Sequence, residues 1–156
     1  MVSSKLVLAL LVAISGYTGY AVPGDLPHIT TLSHDDLAQQ VCGGPCGVFG
    51  FTLPTGEIIL DEALAVGSDP VATSILVHEL THFLQMRSIA HPQPITCAVW
   101  SDREREAFEV QTRWLRDVSG SVQAFSVAMS RLNFGAVHTM CFDRQGAAAP
   151  QSWSKG

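Results

Sequence analysis

Residues 69–87 read Asp-Pro-Val-Ala-Thr-Ser-Ile-Leu-Val-His-Glu-Leu-Thr-His-Phe-Leu-Gln-Met-Arg. Asp69 before Pro70 predicts a helix start, with the carboxylate as N-cap and proline at the first helical position, where no amide hydrogen is needed. Ile75, His78, His82 and Met86 then share one face, and Leu76, Leu80 and Phe83 supply apolar neighbours elsewhere around the helix. A helix apolar over most of its circumference is buried. Two imidazoles and a carboxylate are costly there unless they find partners. Four residues apart, His78 and His82 lie one above the other and can reach a single tetrahedral ion such as Zn2+, while the neighbouring Glu79 can hold a metal-bound water. The plainer alternative is a pair of hydrogen-bonded core histidines.

A catalytic zinc site normally has three protein ligands and a water, so a third ligand is required. The candidates downstream are His91, Glu104, Glu106, Glu109 and His138. His91 follows His82 by nine residues, which misses the extended His-Glu-x-x-His-x-x-Gly-x-x-His spacing, and Gln85 stands where that pattern has glycine. At about 100° per residue, Glu104 falls in line with Ala107, Phe108, Gln111, Leu115 and Val118, the apolar face of a second helix. Glu106 falls roughly opposite, near Glu109, Arg113 and Asp117, and is expected to be dispensable for metal binding. An inward carboxylate suits a metal ligand. Ser101-Asp102-Arg103-Glu104 is also a capping-box pattern, in which Glu104 would bond the Ser101 amide instead.

The surrounding elements follow from turn and cap signals. Residues 22–32 form an extended lead-in. Ser33 caps a short helix over 34–41, with Asp36 in its first turn. Residues 42–47 form a Gly/Pro turn. Residues 48–52 and 57–61 are β-type runs joined by Leu53-Pro54-Thr55-Gly56, a predicted hairpin. The segment 56–61 is either a strand edge open to an extended peptide or a strand that only packs on the helix. Residues 88–100, with Pro92 and Pro94, read as a loop. A third helix is expected to start after Ser101 and end near Gly120, and a fourth, capped by Ser121, to run to about Asn133. The expected fold class is α+β, mostly α, with a small hairpin or sheet packed on the His-Glu-x-x-His helix.

The 156 residues fit one domain. Lys5, an unbroken apolar run over 6–14 and small residues ending at Ala21 read as a signal peptide over 1–21. The apolar run is short for a membrane span, and an uncleaved anchor is the alternative. Residues 22–145 then form the domain and 146–156 a loose tail. The net charge of −5, one unit more negative once Lys5 is removed, argues against nucleic acid as a partner. Four cysteines, Cys42, Cys46, Cys97 and Cys141, suggest two disulfides in a secreted or periplasmic protein. Three pairings are possible, and Cys42–Cys46 with Cys97–Cys141 is preferred. A cysteine metal site at Cys42-Gly-Gly-Pro-Cys46 lacks a second close pair of ligands.

The run His78-Glu-Leu-Thr-His82-Phe-Leu-Gln85 resembles the active helix of zincin metallopeptidases. Glu104-Arg-Glu106-Ala107-Phe108 resembles the Glu-x-x-Ala segment of the gluzincins, the branch with a glutamate ligand. The likeness covers residues 41–118 and extends to small secreted bacterial proteins of unassigned role. It implies a minimal zincin-like domain in which His78, His82 and Glu104 hold Zn2+ and Glu79 is the general base. Several such families have Asp or Asn where this chain has Phe108. The resemblance also implies an oxyanion-stabilising residue, often Tyr or His. Tyr17 and Tyr20 both lie in the leader, so His91, His138 or an arginine is expected to serve, with Gln111 a possible support for a ligand. The expected function is secreted zinc-dependent hydrolysis of a peptide or protein substrate. The alternatives are an inactive zinc-stabilised interaction module and an amidase acting on non-peptide amides.

Overall fold

The protein is described by a computed structural model that covers residues 2–88 and 96–131. The fold is α+β and mostly helical, with a small three-stranded sheet. At its centre is the helix foreseen in the sequence, α3 (Pro70–Ser88). The Asp69 carboxylate accepts from Val71 N at 2.8 Å and the Asp69 carbonyl from Thr73 N at 2.9 Å, so the cap forms as its residues dictate. Most of α3 is buried, including His78, Glu79 and Gln85.

The sheet has the order β1-β3-β2, from β1 (Ile29–Leu32), β2 (Gly50–Thr52) and β3 (Ile58–Asp61). The hairpin is present: β2 runs antiparallel to β3 with Gly50 opposite Leu60 and Thr52 opposite Ile58. Leu53 N donates to the Glu57 carbonyl and Gly56 N to the Leu53 carbonyl, and Gly56 takes the φ of 88° that the turn needs. The structure adds one strand and decides between two alternatives. The extended lead-in contains β1, which pairs in parallel with β3. Segment 56–61 is therefore no edge: β3 is the central strand, buried along its whole length, and the outer strands are β1 and β2.

Between β1 and β2 lies α2 (His34–Cys42), capped by Ser33, which accepts from Asp36 N. The Cys42–Cys46 disulfide closes the turn that follows. Cys97 is also disulfide-bonded; Cys141, its expected partner, lies outside the described residues, as does the tail.

The next helix, α4 (Cys97–Ser119), begins at Cys97, ahead of the expected start after Ser101. Thr96 is the N-cap and accepts from Val99 N at 3.3 Å. Ser101 therefore sits inside the helix, and Glu104 is not the capping-box partner of a helix end. The chain continues into α5 (Val122–Arg131), where Ser121 accepts from Ala124 N. The expected extension of α5 to Asn133 passes beyond the described residues.

The segment read as a leader contains α1 (Ser4–Thr18). Its Val7, Leu10, Leu11 and Ile14 share one core cluster with Ile58 and Leu60 of β3, with Leu76, Val77, Leu80, Phe83 and Leu84 of α3, and with Val110 of α4. Two phenols fasten this segment to α4. Tyr17 donates to Asp117 Oδ2 at 2.6 Å and Tyr20 to Glu106 Oε2 at 2.8 Å. No helix among the described residues is long and apolar enough to cross a membrane.

Candidate metal centre

His78 and His82 project from the buried middle of α3 towards α4, and Glu104 reaches them from the second turn of α4. His78 Nε2 and His82 Nε2 are 3.1 Å apart. Glu104 Oε2 lies 3.3 Å from the first nitrogen and Oε1 3.2 Å from the second. Helical phase explains the arrangement, since Ala107, Gln111 and Leu115, three of the residues in line with Glu104, are buried, although Val118 at the far end of that line is exposed. These three side chains form a group able to hold a metal ion.

The electrostatics show what such a group costs without a metal. Burial works against a charged His82 ring. It is outweighed by the hydrogen bond and charge of Glu104, with the Glu79 charge and the Gln85 hydrogen bond adding, and the ring is raised to about 9. Burial likewise pushes the Glu104 carboxyl up. Hydrogen bonds from His78 and His82, with their charges, overcome it and hold Glu104 far below the usual carboxylate range.

A pH dependence follows from these shifts. In the metal-free chain, the stability contributed by Glu104 is present above its ordinary value of 4.5 and lost as pH falls towards its depressed value. The stability contributed by His82 is complete below 6.5 and lost as pH rises through about 9. A metal ion takes the same ring nitrogen as the proton. The increase in Tm that metal produces should therefore grow between pH 6.5 and 9, while the metal-free Tm falls. Thermal denaturation with and without metal across that range checks this; a metal-induced increase that shrinks with pH would contradict it.

The two histidines have unlike surroundings. His82 Nδ1 meets Gln85 Oε1 at 2.9 Å. His78 Nδ1 is buried with no hydrogen-bond partner among the described residues, and the Phe108 ring lies against the imidazole with centroids 4.5 Å apart.

Glu79 is fixed from the other side by β2. Thr52 Oγ1 lies 2.7 Å from Glu79 Oε2 and 3.0 Å from the Glu79 carbonyl oxygen, so its hydroxyl donates to α3 at this point. A Cβ on Gly50 would stand 2.9 Å from Glu79 Cγ and 3.1 Å from Oε1. Gly50 is there for space, because its φ is not in the left-handed region. Alternation along the strand puts Gly50 and Thr52 on one side. Neither was singled out in the sequence, although a glycine two residues before a threonine in a strand next to the motif helix was a usable signal.

Gln111 is an interior polar residue, the plainer alternative to a support for a ligand. It is buried, and its amide donates to Ser74 Oγ at 3.1 Å, joining α4 to α3 one turn before His78. Tyr17 and Tyr20 are engaged by acidic residues of α4. His91 and His138 lie outside the described residues. Gln85 is an unforeseen neighbour of the site, and Glu106, set aside as a ligand by its helical phase, meets it there. Gln85 donates to Glu106 Oε2 at 2.7 Å and to the Arg103 carbonyl at 3.0 Å. Its position three residues after His82 was the signal available.

Comparison of the chain with protein-family models, with curated proteins and with solved structures finds no match.

Proposed function

We propose that this protein is a zinc-dependent hydrolase of peptide bonds that works in an oxidising compartment, secreted or periplasmic. The observation that carries the reading is the convergence of His78 Nε2, His82 Nε2 and the Glu104 carboxylate beside a separately anchored Glu79. The donor set suits zinc. Ligands about 2.0–2.1 Å from a tetrahedral ion stand about 3.3–3.4 Å from one another. The two ring nitrogens are 3.1 Å apart, and each stands 3.2–3.3 Å from its own oxygen of the Glu104 carboxylate, so a small turn of that carboxylate brings one oxygen to both. The Cys42–Cys46 disulfide supports the compartment.

In this reading His78 and His82 bind zinc as neutral imidazoles, and Glu104 supplies the third ligand and a negative charge. When bound, zinc lowers the pKa of a water in its open position towards about 7 and polarises a substrate carbonyl. Glu79 accepts the water's proton and delivers it to the leaving amine. Thr52 and Gly50 keep the Glu79 carboxylate in place, one by a hydrogen bond and the other by leaving room.

Gly50→Ala should therefore displace Glu79 while the three ligands stay in place. Misplacing a catalytic group by about 1 Å costs roughly a hundredfold in rate. Zinc content should be unchanged and turnover should fall by about that factor; unchanged turnover would mean that β2 does not set the position of Glu79.

The test of the function itself is zinc titration of the full chain with X-ray absorption spectroscopy, followed by a mixed peptide library. About one equivalent of zinc, three protein ligands and one lighter non-protein ligand are expected. Cleavage should disappear with a chelator and return with zinc. Four protein ligands and no cleavage would favour a zinc-stabilised interaction module. One observation favours that second reading: both tyrosines of the chain are bonded to acidic residues of α4, so neither is free to stabilise an oxyanion.

A further inference from the structure

Gln85 is buried, 3% exposed, and both of its amide hydrogens and its amide oxygen are engaged. Its Nε2 donates to the Arg103 carbonyl at 3.0 Å and to Glu106 Oε2 at 2.7 Å. Reversing the amide would set its carbonyl oxygen against two other oxygens, so its direction is fixed. Oε1 is left facing His82 Nδ1 at 2.9 Å and calls for a hydrogen there. With Nδ1 carrying the hydrogen, the lone pair of the neutral ring is on Nε2, the nitrogen beside Glu104 and His78. Glu106 is itself held, since Tyr20 donates to the same Oε2 at 2.8 Å.

We infer that Tyr20 and Glu106 are positioning residues for His82, acting through Gln85 in a relay from the chain beyond α1 to the nitrogen that binds metal. This rests on the reading of His82 as a zinc ligand and on residues 1–21 staying with the chain, where α1 contributes Val7, Leu10, Leu11 and Ile14 to the core, in place of their removal as a leader. Partners behind a metal-bound histidine fix its tautomer and ring orientation, and their loss typically costs 10- to 100-fold in metal affinity. The competing explanation is that Tyr20 only fastens α1 to α4. Tyr17 provides the control, because it makes a like bond to Asp117 and has no link to a ligand.

The experiment measures the zinc Kd of the full chain by chelator competition, with each variant's Tm recorded alongside. Tyr20→Phe and Glu106→Gln are both close to isosteric. Each should weaken zinc about tenfold, whereas Tyr17→Phe should leave the Kd unchanged. In a Gln85→Ala background, Glu106→Gln should add little, because the two act as one unit. A zinc Kd unchanged in Tyr20→Phe and Glu106→Gln, an equal loss in Tyr17→Phe, or fully additive losses with Gln85→Ala would each overturn the relay. A parent chain that binds no zinc would overturn the relay together with the metal reading. A parent that binds zinc with a Kd indifferent to these changes overturns the relay alone.

Discussion

Glu79→Gln should leave one zinc ion bound and slow peptide hydrolysis by roughly 10²- to 10⁴-fold, the range that a positioned proton acceptor contributes. The substitution is nearly isosteric, and Thr52 Oγ1, 2.7 Å from Oε2 in the parent, can still donate to the amide oxygen. Packing against Gly50 should be kept, so the loss would belong to chemistry and not to folding. What disappears is a group able to take a proton, since an amide oxygen is too weak a base. Turnover of any cleaved peptide, with zinc content and Tm measured on the same sample, decides the matter. Undiminished turnover at full zinc occupancy would remove Glu79 from the mechanism.

Glu104→Ala should weaken zinc binding by more than about a hundredfold, because losing a direct ligand exceeds the 10- to 100-fold cost of losing a partner behind one. Two imidazoles 3.1 Å apart would remain, without the carboxylate that holds both. In the metal-free variant, burial of His82 would no longer be outweighed by Glu104, so its ring should titrate well below the parent's value of about 9. The variant therefore gives two readouts: the zinc Kd by competition, and the His82 titration by NMR. Glu106→Ala should lose far less affinity. If Glu106→Ala abolished binding and Glu104→Ala spared it, the third ligand would be the wrong carboxylate of α4.

The parts of the fold legible in the sequence were those set by near neighbours. Asp69-Pro70 fixed the start of α3, Leu53-Pro-Thr-Gly56 fixed the hairpin, and the phase of Glu104 among Ala107, Gln111 and Leu115 brought it inward. β1 escaped notice because its pairing is parallel, with a partner 29 residues away at Ile29 and Ile58. Nothing local marks such a contact. The start of α4 was missed because Thr96 follows two prolines and the first turn, Cys97-Ala-Val-Trp, has no polar pattern of its own. The support of the site was least legible. Gln85, Glu106 and Tyr20 are ordinary polar residues until α3 and α4 cross. Phase alone put Glu106 on the far side from Glu104, yet its long side chain reaches Gln85 on α3.

The pairing of β2 with β3 has a consequence for what kinds of mutation the protein tolerates. Gly50 and Thr52 face Glu79 because they are two residues apart, and Phe51 between them faces the other way. A slip of one residue exchanges these sides and turns an aromatic ring towards the carboxylate. The length of the turn formed by residues 53–56 is what prevents the slip. Substitutions on the outer surface of that turn should be tolerated, whereas inserting or deleting a single residue there should disable Glu79 as thoroughly as replacing it. Relatives of this chain should then vary in the letters of this turn, apart from Gly56 with its φ of 88°, and hardly at all in its length.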